Sequence, residues 1–98
     1  MKIRWMPLAE QDLEAAYAYV SEDNAKAAAR LVARVFEAVE MLVRYPSAGH
    51  PGRVTATREL SIPRTPYIVV YRQSRDEIQI LSLIHGARRW PMSFGKSE

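Results

Sequence analysis

The chain has 98 residues, 48% of them apolar, no cysteine and a formal net charge of +3. That is enough for one domain with one modest core. It excludes disulfides and thiol chemistry, and no apolar run is long enough to span a bilayer. The opening MKIRWMPLAEQDLE lacks an apolar h-region and carries acids early, so no signal peptide and a cytoplasmic location are expected. Charge is uneven: residues 1–44 hold six Lys/Arg against seven Asp/Glu, and residues 45–98 hold eight against four. Eleven of the basic residues are Arg, whose planar fork suits phosphates and carboxylates. The basic half can meet nucleic acid or an acidic protein surface, or it can be a solvated face.

Lys2–Trp5 alternates polar and apolar residues, as a short strand does. Pro7 suits a first helical turn. From Leu8 to Val20, Leu13, Ala16, Tyr17 and Val20 share one helical face. Ser21-Glu22-Asp23-Asn24 is a break rich in capping residues. A second helix is expected from Asn24 to Arg44, with a stripe of Ala28, Leu31, Val32, Val35, Phe36, Val39 and Leu42, ended by Pro46. Two helices with so short a break form an antiparallel hairpin, and the second spans roughly 30 Å. Residues 47–54 read as loop.

Three extended runs follow: Thr57–Ile62, Tyr67–Arg72 and Glu77–His85. Ile, Val and Tyr dominate them, as strands prefer. Short connections favour a three-stranded antiparallel meander. The fold class is therefore α+β: an N-terminal strand, a helical hairpin, then the meander. Residues 1–91 form a single domain and residues 92–98 a loose tail.

Both faces of the meander are apolar, yet one helical hairpin covers only one face. Either the sheet curls over its own second face or a partner covers it. The second alternative is preferred, because a large apolar patch on a soluble chain usually marks an interface. Val69, Tyr71, Leu81 and Leu83 are assigned to that partner surface.

Signatures of metal catalysis are absent, and two histidines are too few for a His-rich metal site. No cofactor is expected. Gly95-Lys96-Ser97 imitates the end of a phosphate loop, but Trp90 stands where the first Gly is needed. His85 closes the last strand beside arginines, where it can serve as general acid or base or be an ordinary polar strand end. Arg58 is expected to be partly buried and held, either to stabilise a phosphorane or to pair with Glu59, Asp76 or Glu77. Arg53 is a loop cation. Arg88, Arg89 and Trp90 join charge to a stacking surface, although Trp90 can equally close the core. Tyr17, Tyr19 and Phe36 read as core.

The order strand, helix, helix, meander resembles the RelE/ParE toxins of type II toxin–antitoxin systems. The matching residues are Ala9, Asp12 and Leu13, then Tyr45-Pro46 with Gly49, then Gly52-Arg53 and Thr57-Arg58-Glu59-Leu60. Further along come Pro66-Tyr67-Ile68-Val69-Val70-Tyr71-Arg72 and His85-Gly86-Ala87-Arg88 with Trp90-Pro91. The likeness covers residues 2 to 91 and implies a toxin neutralised by a cognate ParD-like or RelB-like antitoxin, bound as a hetero-oligomer. RelE-like members cleave mRNA on the ribosome without metal; ParE-like members bind DNA gyrase. The long helical hairpin and the absence of lysine between Lys26 and Lys96 lean toward ParE. On the nuclease alternative His85, Arg58 and Arg88 are the catalytic residues. On the gyrase reading Arg53, Arg89 and Trp90 contact the target. A third alternative is a binding module or operon co-repressor acting with its antitoxin.

Overall fold

The computed structural model describes residues 1–87. Strand β1 (Lys2–Trp5) leads into helices α1 (Pro7–Ser21) and α2 (Ala25–Arg44), followed by β2 (His50–Pro51), β3 (Arg58–Ser61), β4 (Tyr67–Ser74) and β5 (Glu77–His85). Among the described residues the strands form one sheet in the order β1-β5-β4-β3-β2. All neighbours are antiparallel except β1 and β5. The expected α+β architecture is present. The expected tail at residues 92–98 lies outside the described residues.

Local chemistry sets the element ends. Pro7 opens α1, where its missing N–H costs no hydrogen bond. Asn24 caps α2 by accepting the Ala27 N–H at 3.0 Å. Pro46 follows the C-cap Tyr45 and stops α2. The β4–β5 hairpin turns through Arg75, at φ 55°, the left-handed geometry that tight hairpins use. Strand β2 lies in a stretch that reads as loop: its two residues pair with Arg58 and Glu59. So short a run offers no alternation to read.

The main core lies between the helices and one sheet face. Leu31, Val35, Val39 and Leu42 of α2 meet Tyr67, Val69 and Tyr71 of β4 and Ile78, Ile80 and Leu83 of β5. Helix α1 contributes the small Ala9 and Ala16, which lets it approach the sheet closely. Phe36, by contrast, is 45% exposed, and Tyr17 and Tyr19 are exposed too. These three rings do not belong to the core, because alanines and aliphatic side chains already fill the facing stripes of both helices.

The opposite sheet face carries a smaller cluster of Met6, Val70, Leu81 and Ile84. The division departs from simple alternation for a definite reason. Val70 pairs with Ser82 and Tyr71 with Ile80, so Leu81 is an extra residue in β5. A bulge of this kind shifts the alternation by one. Ile78, Ile80 and Leu83 consequently share the helix-facing core, and Leu81 and Ile84 fall on the other face.

The assignment of Val69, Tyr71, Leu81 and Leu83 to a partner surface is corrected here. Their exposures are 0%, 0%, 2% and 5% within this chain alone. Three of them face the helices, and Leu81 sits at the bulge in the second cluster.

Asp12 holds the bulge from α1. Strand β1 ends at Trp5, paired with Ile80, so among the described residues β5 beyond that point has no strand on its outer side. The Asp12 carboxyl accepts the outward Leu83 N–H at 3.0 Å and the Ser82 hydroxyl at 2.6 Å. Both donors are thereby satisfied at a largely buried position. Asp12→Ala is expected to lower the unfolding free energy by about 1–3 kcal/mol in a urea titration. Adding Ser82→Ala should then cost less than Ser82→Ala alone. A loss under ~0.5 kcal/mol, the level of an ordinary surface change, would remove Asp12 from this role.

Candidate functional site

The loop after α2 is tied to the sheet by Tyr71. Its hydroxyl donates to the Pro46 carbonyl at 2.7 Å and accepts the Gly49 N–H at 2.9 Å. Gly49 fits because nothing larger can: a Cβ there would stand 2.8 Å from the Tyr71 ring and from the Glu59 carbonyl oxygen. Burial pushes the Tyr71 hydroxyl above its ordinary pKa, against the opposing effects of the Gly49 hydrogen bond and the Arg58 charge.

Arg58 is held, as its place in the strand suggests. Its guanidinium donates to the Gly49 carbonyl at 2.7 Å, rather than pairing with Glu59, Asp76 or Glu77. Glu59 points to the opposite face and is 3% exposed. It accepts the Arg53 N–H at 2.8 Å, lies 3.4 Å from Arg53 Nε, and stands 4.0 Å from His50 Nε2. Glu59 thus gathers a loop cation and a histidine around one buried carboxyl group. The family likeness includes Glu59 but gives it no role, and β3 is otherwise mostly polar, so its composition does not mark this carboxyl as the buried one.

His85 sits at the other end of the sheet. It pairs in register with Tyr67, whose ring meets the imidazole edge-on at 5.4 Å between centroids. Its Nδ1 accepts the Ala87 N–H at 3.2 Å, so in the neutral ring the proton resides on Nε2. Arg58 pairs with Tyr71, four positions along β4 from Tyr67 and on the opposite flank. Taking about 3.3 Å per residue and about 4.8 Å per strand, the Arg58 and His85 Cα atoms lie roughly 16 Å apart. These two candidates are therefore not brought together. The remaining candidates, Arg88, Arg89 and Trp90, lie outside the described residues. Among the described residues no group of three or more His, Cys, Asp or Glu could hold a metal ion.

Between α1 and the outer edge of β5, unpaired beyond β1 among the described residues, runs a groove of about 510 Å³, lined by Leu8, Asp12, Tyr19, Tyr67 and His85 among others. Leu8 and Tyr19 are exposed along it. No sequence signal marks this groove, because it exists only where β1 stops short of its neighbour.

A helical hairpin laid on one face of a short, mostly antiparallel sheet is the architecture of a class of small bacterial toxins. The chain belongs to the ParE toxin family: the model described as "ParE toxin of type II toxin-antitoxin system, parDE" matches residues 3–90. The candidate toxin Y4kP of Sinorhizobium fredii (strain NBRC 101917 / NGR234) is 46% identical over 90 residues, which cover 92% of this chain and 93% of that protein. A solved structure described as "Chromosomal ParDE TA system from P. aeruginosa" superposes with a TM-score of 0.77 at 33% identity. The superposition covers 87% of this chain and 95% of the other. The protein is thus a ParE-type toxin of a type II toxin–antitoxin system.

The Tyr71 contacts make a prediction with a definite sign. Tyr71→Phe leaves the Gly49 N–H and the Pro46 carbonyl without this partner and should cost about 1–3 kcal/mol at neutral pH. The raised folded-state pKa means that the native protein keeps the Tyr71 proton where the unfolded chain has begun to lose it. That contribution is complete below the unfolded value near 10 and is lost as pH rises through the higher folded value. Chemical denaturation from pH 8 upward should show a shallower alkaline fall in Tyr71→Phe. Equal slopes in the two proteins would refute the linkage.

Proposed function

We propose that this toxin acts in the cytoplasm on DNA gyrase through protein–protein contact and is silenced by a cognate antitoxin. The observation that carries the reading is the separation of Arg58 from His85. Arg58 commits its guanidinium to the Gly49 carbonyl, on the β2 side of β3 and away from β5, so it and His85 do not converge on one scissile phosphate in this geometry. RNA cleavage through the 2′-hydroxyl needs a proton acceptor, a proton donor and a cation around a single phosphorus. The engaged Nδ1 of His85 and the carbonyl-bound Arg58 also suit structural roles. A surface that grips a protein target needs no such convergence; its affinity comes from a few anchors in a broad contact. Arg53, at the rim of the loop, and Arg89 and Trp90 beyond the described residues are the proposed target contacts.

The proposed antitoxin contact is the groove between α1 and β5. An amphipathic segment that folds on binding finds exposed Leu8 and Tyr19 there, together with a strand edge unpaired among the described residues. The similar P. aeruginosa structure is of a ParDE TA system, and the proposal extends such a pairing to this chain.

Two assays with purified toxin test the target: supercoiling by gyrase and mRNA integrity in a translating extract. Inhibited supercoiling with intact mRNA is the expected result. His85→Ala should keep its inhibition within a few-fold, whereas loss of a general acid or base costs about 100- to 10,000-fold. Codon-phased mRNA cuts with normal supercoiling would overturn the gyrase reading.

A further inference from the structure

A second concavity lies away from the α1–β5 groove, where β1 and both helices meet. It measures about 430 Å³ and is lined by Trp5, Glu10, Leu13, Glu14 and Phe36. The Trp5 and Phe36 rings stand 5.5 Å apart between centroids, tilted 59° to each other. Their faces are negative at the centre and attract a cation laid over them. Phe36 is exposed enough to meet a ligand directly.

Glu10 and Glu14 supply the rest of the lining. They are one turn apart on α1, both exposed, and like charges at that spacing repel slightly. Neither has an ion-pair or hydrogen-bonded side-chain partner among the described residues. The nearby cation of β1, Arg4, lies 3.7 Å from Glu77 instead. Glu10 also benefits from the N-terminal end of the helix dipole, but Glu14, a turn further on, is less well placed for this. Two carboxylates and two aromatic rings lining one concavity offer a receptor for a guanidinium or ammonium group whose aliphatic stem lies against Leu13.

We infer that this pocket binds an arginine or lysine side chain presented by a partner protein. The aromatic pair takes the flat face of the cation, and the two carboxylates take its N–H groups. Arginine fits better than lysine, because its planar fork stacks on a ring while still donating at its edge. Charge complementarity selects this occupant over an acidic or purely apolar segment, since either would leave both carboxylates facing a low-dielectric contact without a counter-charge. The site is independent of the gyrase reading and involves none of the residues proposed there.

The test uses the full-length protein labelled with ¹⁵N and the probe acetyl-Gly-Arg-Gly-amide. Its control is the same peptide carrying citrulline, which keeps the shape and removes the charge. The Trp5 indole N–H signal, assigned by comparison with Trp5→Phe, should move saturably with the arginine peptide and much less with citrulline. Glu10→Gln with Glu14→Gln should weaken binding about tenfold, or about threefold for each exposed pair lost. Phe36→Leu should weaken it further while keeping an apolar side chain in place. Because all three positions are exposed, circular dichroism melts should match the parent protein and show that the variants fold. Equal binding of the citrulline peptide, an unmoved Trp5 signal, or undiminished binding by the double Gln variant would each overturn the assignment.

Discussion

The helix-facing half of β5 depends on one carboxyl group. Asp12, reaching from α1, accepts the Leu83 N–H and the Ser82 hydroxyl just after the extra residue Leu81. Without a bulge, strict alternation from Ile78 and Ile80 would turn Leu83 and His85 away from the helices and bring Ile84 in. With it, Leu83 joins the core, and His85 stands on the same face as Tyr67. Because β1 stops at Trp5, no described strand takes the Leu83 N–H just past the bulge, and such a group is costly to bury unpaired. One side chain on the first helix therefore satisfies the sheet's irregularity and docks that helix against it.

Tyr71 plays a comparable part at the other end. It is fully buried, yet its hydroxyl serves two backbone groups of the loop that follows α2. That loop in turn receives the Arg58 guanidinium at Gly49 and offers Arg53 and His50 to buried Glu59. Much of the basic character of residues 49–59 is consequently built into the architecture. Arg58 is fixed by the Gly49 carbonyl, which restricts what it can offer to a ligand, whereas Arg53 meets Glu59 with its side chain still half exposed.

The helices, the three longer strands and their order are legible in the sequence because periodicity, capping residues and Pro46 all point the same way. The family likeness is legible too, and its motif residues prove structural: Asp12 clamps the bulge, and Gly49 is the residue on which Tyr71 closes. The bulge is not legible, since one extra residue in an all-apolar run leaves no mark on composition. Of the misplaced partner surface it accounts for Leu81 alone; Val69, Tyr71 and Leu83 mislead because strands apolar on both faces do not tell which face the helices cover. Phe36 and Tyr17 mislead for a different reason: helical spacing identifies a stripe, but not how wide a band the opposing sheet covers. Strand β2 is too short to carry any pattern, and the distance between Arg58 and His85 belongs to the sheet's register alone.

Strand β1, the first of the described strands to be made, lies parallel to β5, the last of them, with Lys2 opposite Glu77. The strand that joins β1 to the rest of the sheet is thus also the latest of the five to leave the ribosome. Until it emerges, β1 has no neighbour, Asp12 has no donors to accept, and the stripes of both helices lack half of their counterpart. Contacts so distant along the chain close late and slowly. A nascent chain that stops short of residue 77 holds the helical hairpin and the β3–β4 pair but lacks the strand that joins them into one sheet. Assembly of this toxin is therefore timed by the order of its synthesis, with its sheet closing only after nearly all of the described chain has been translated.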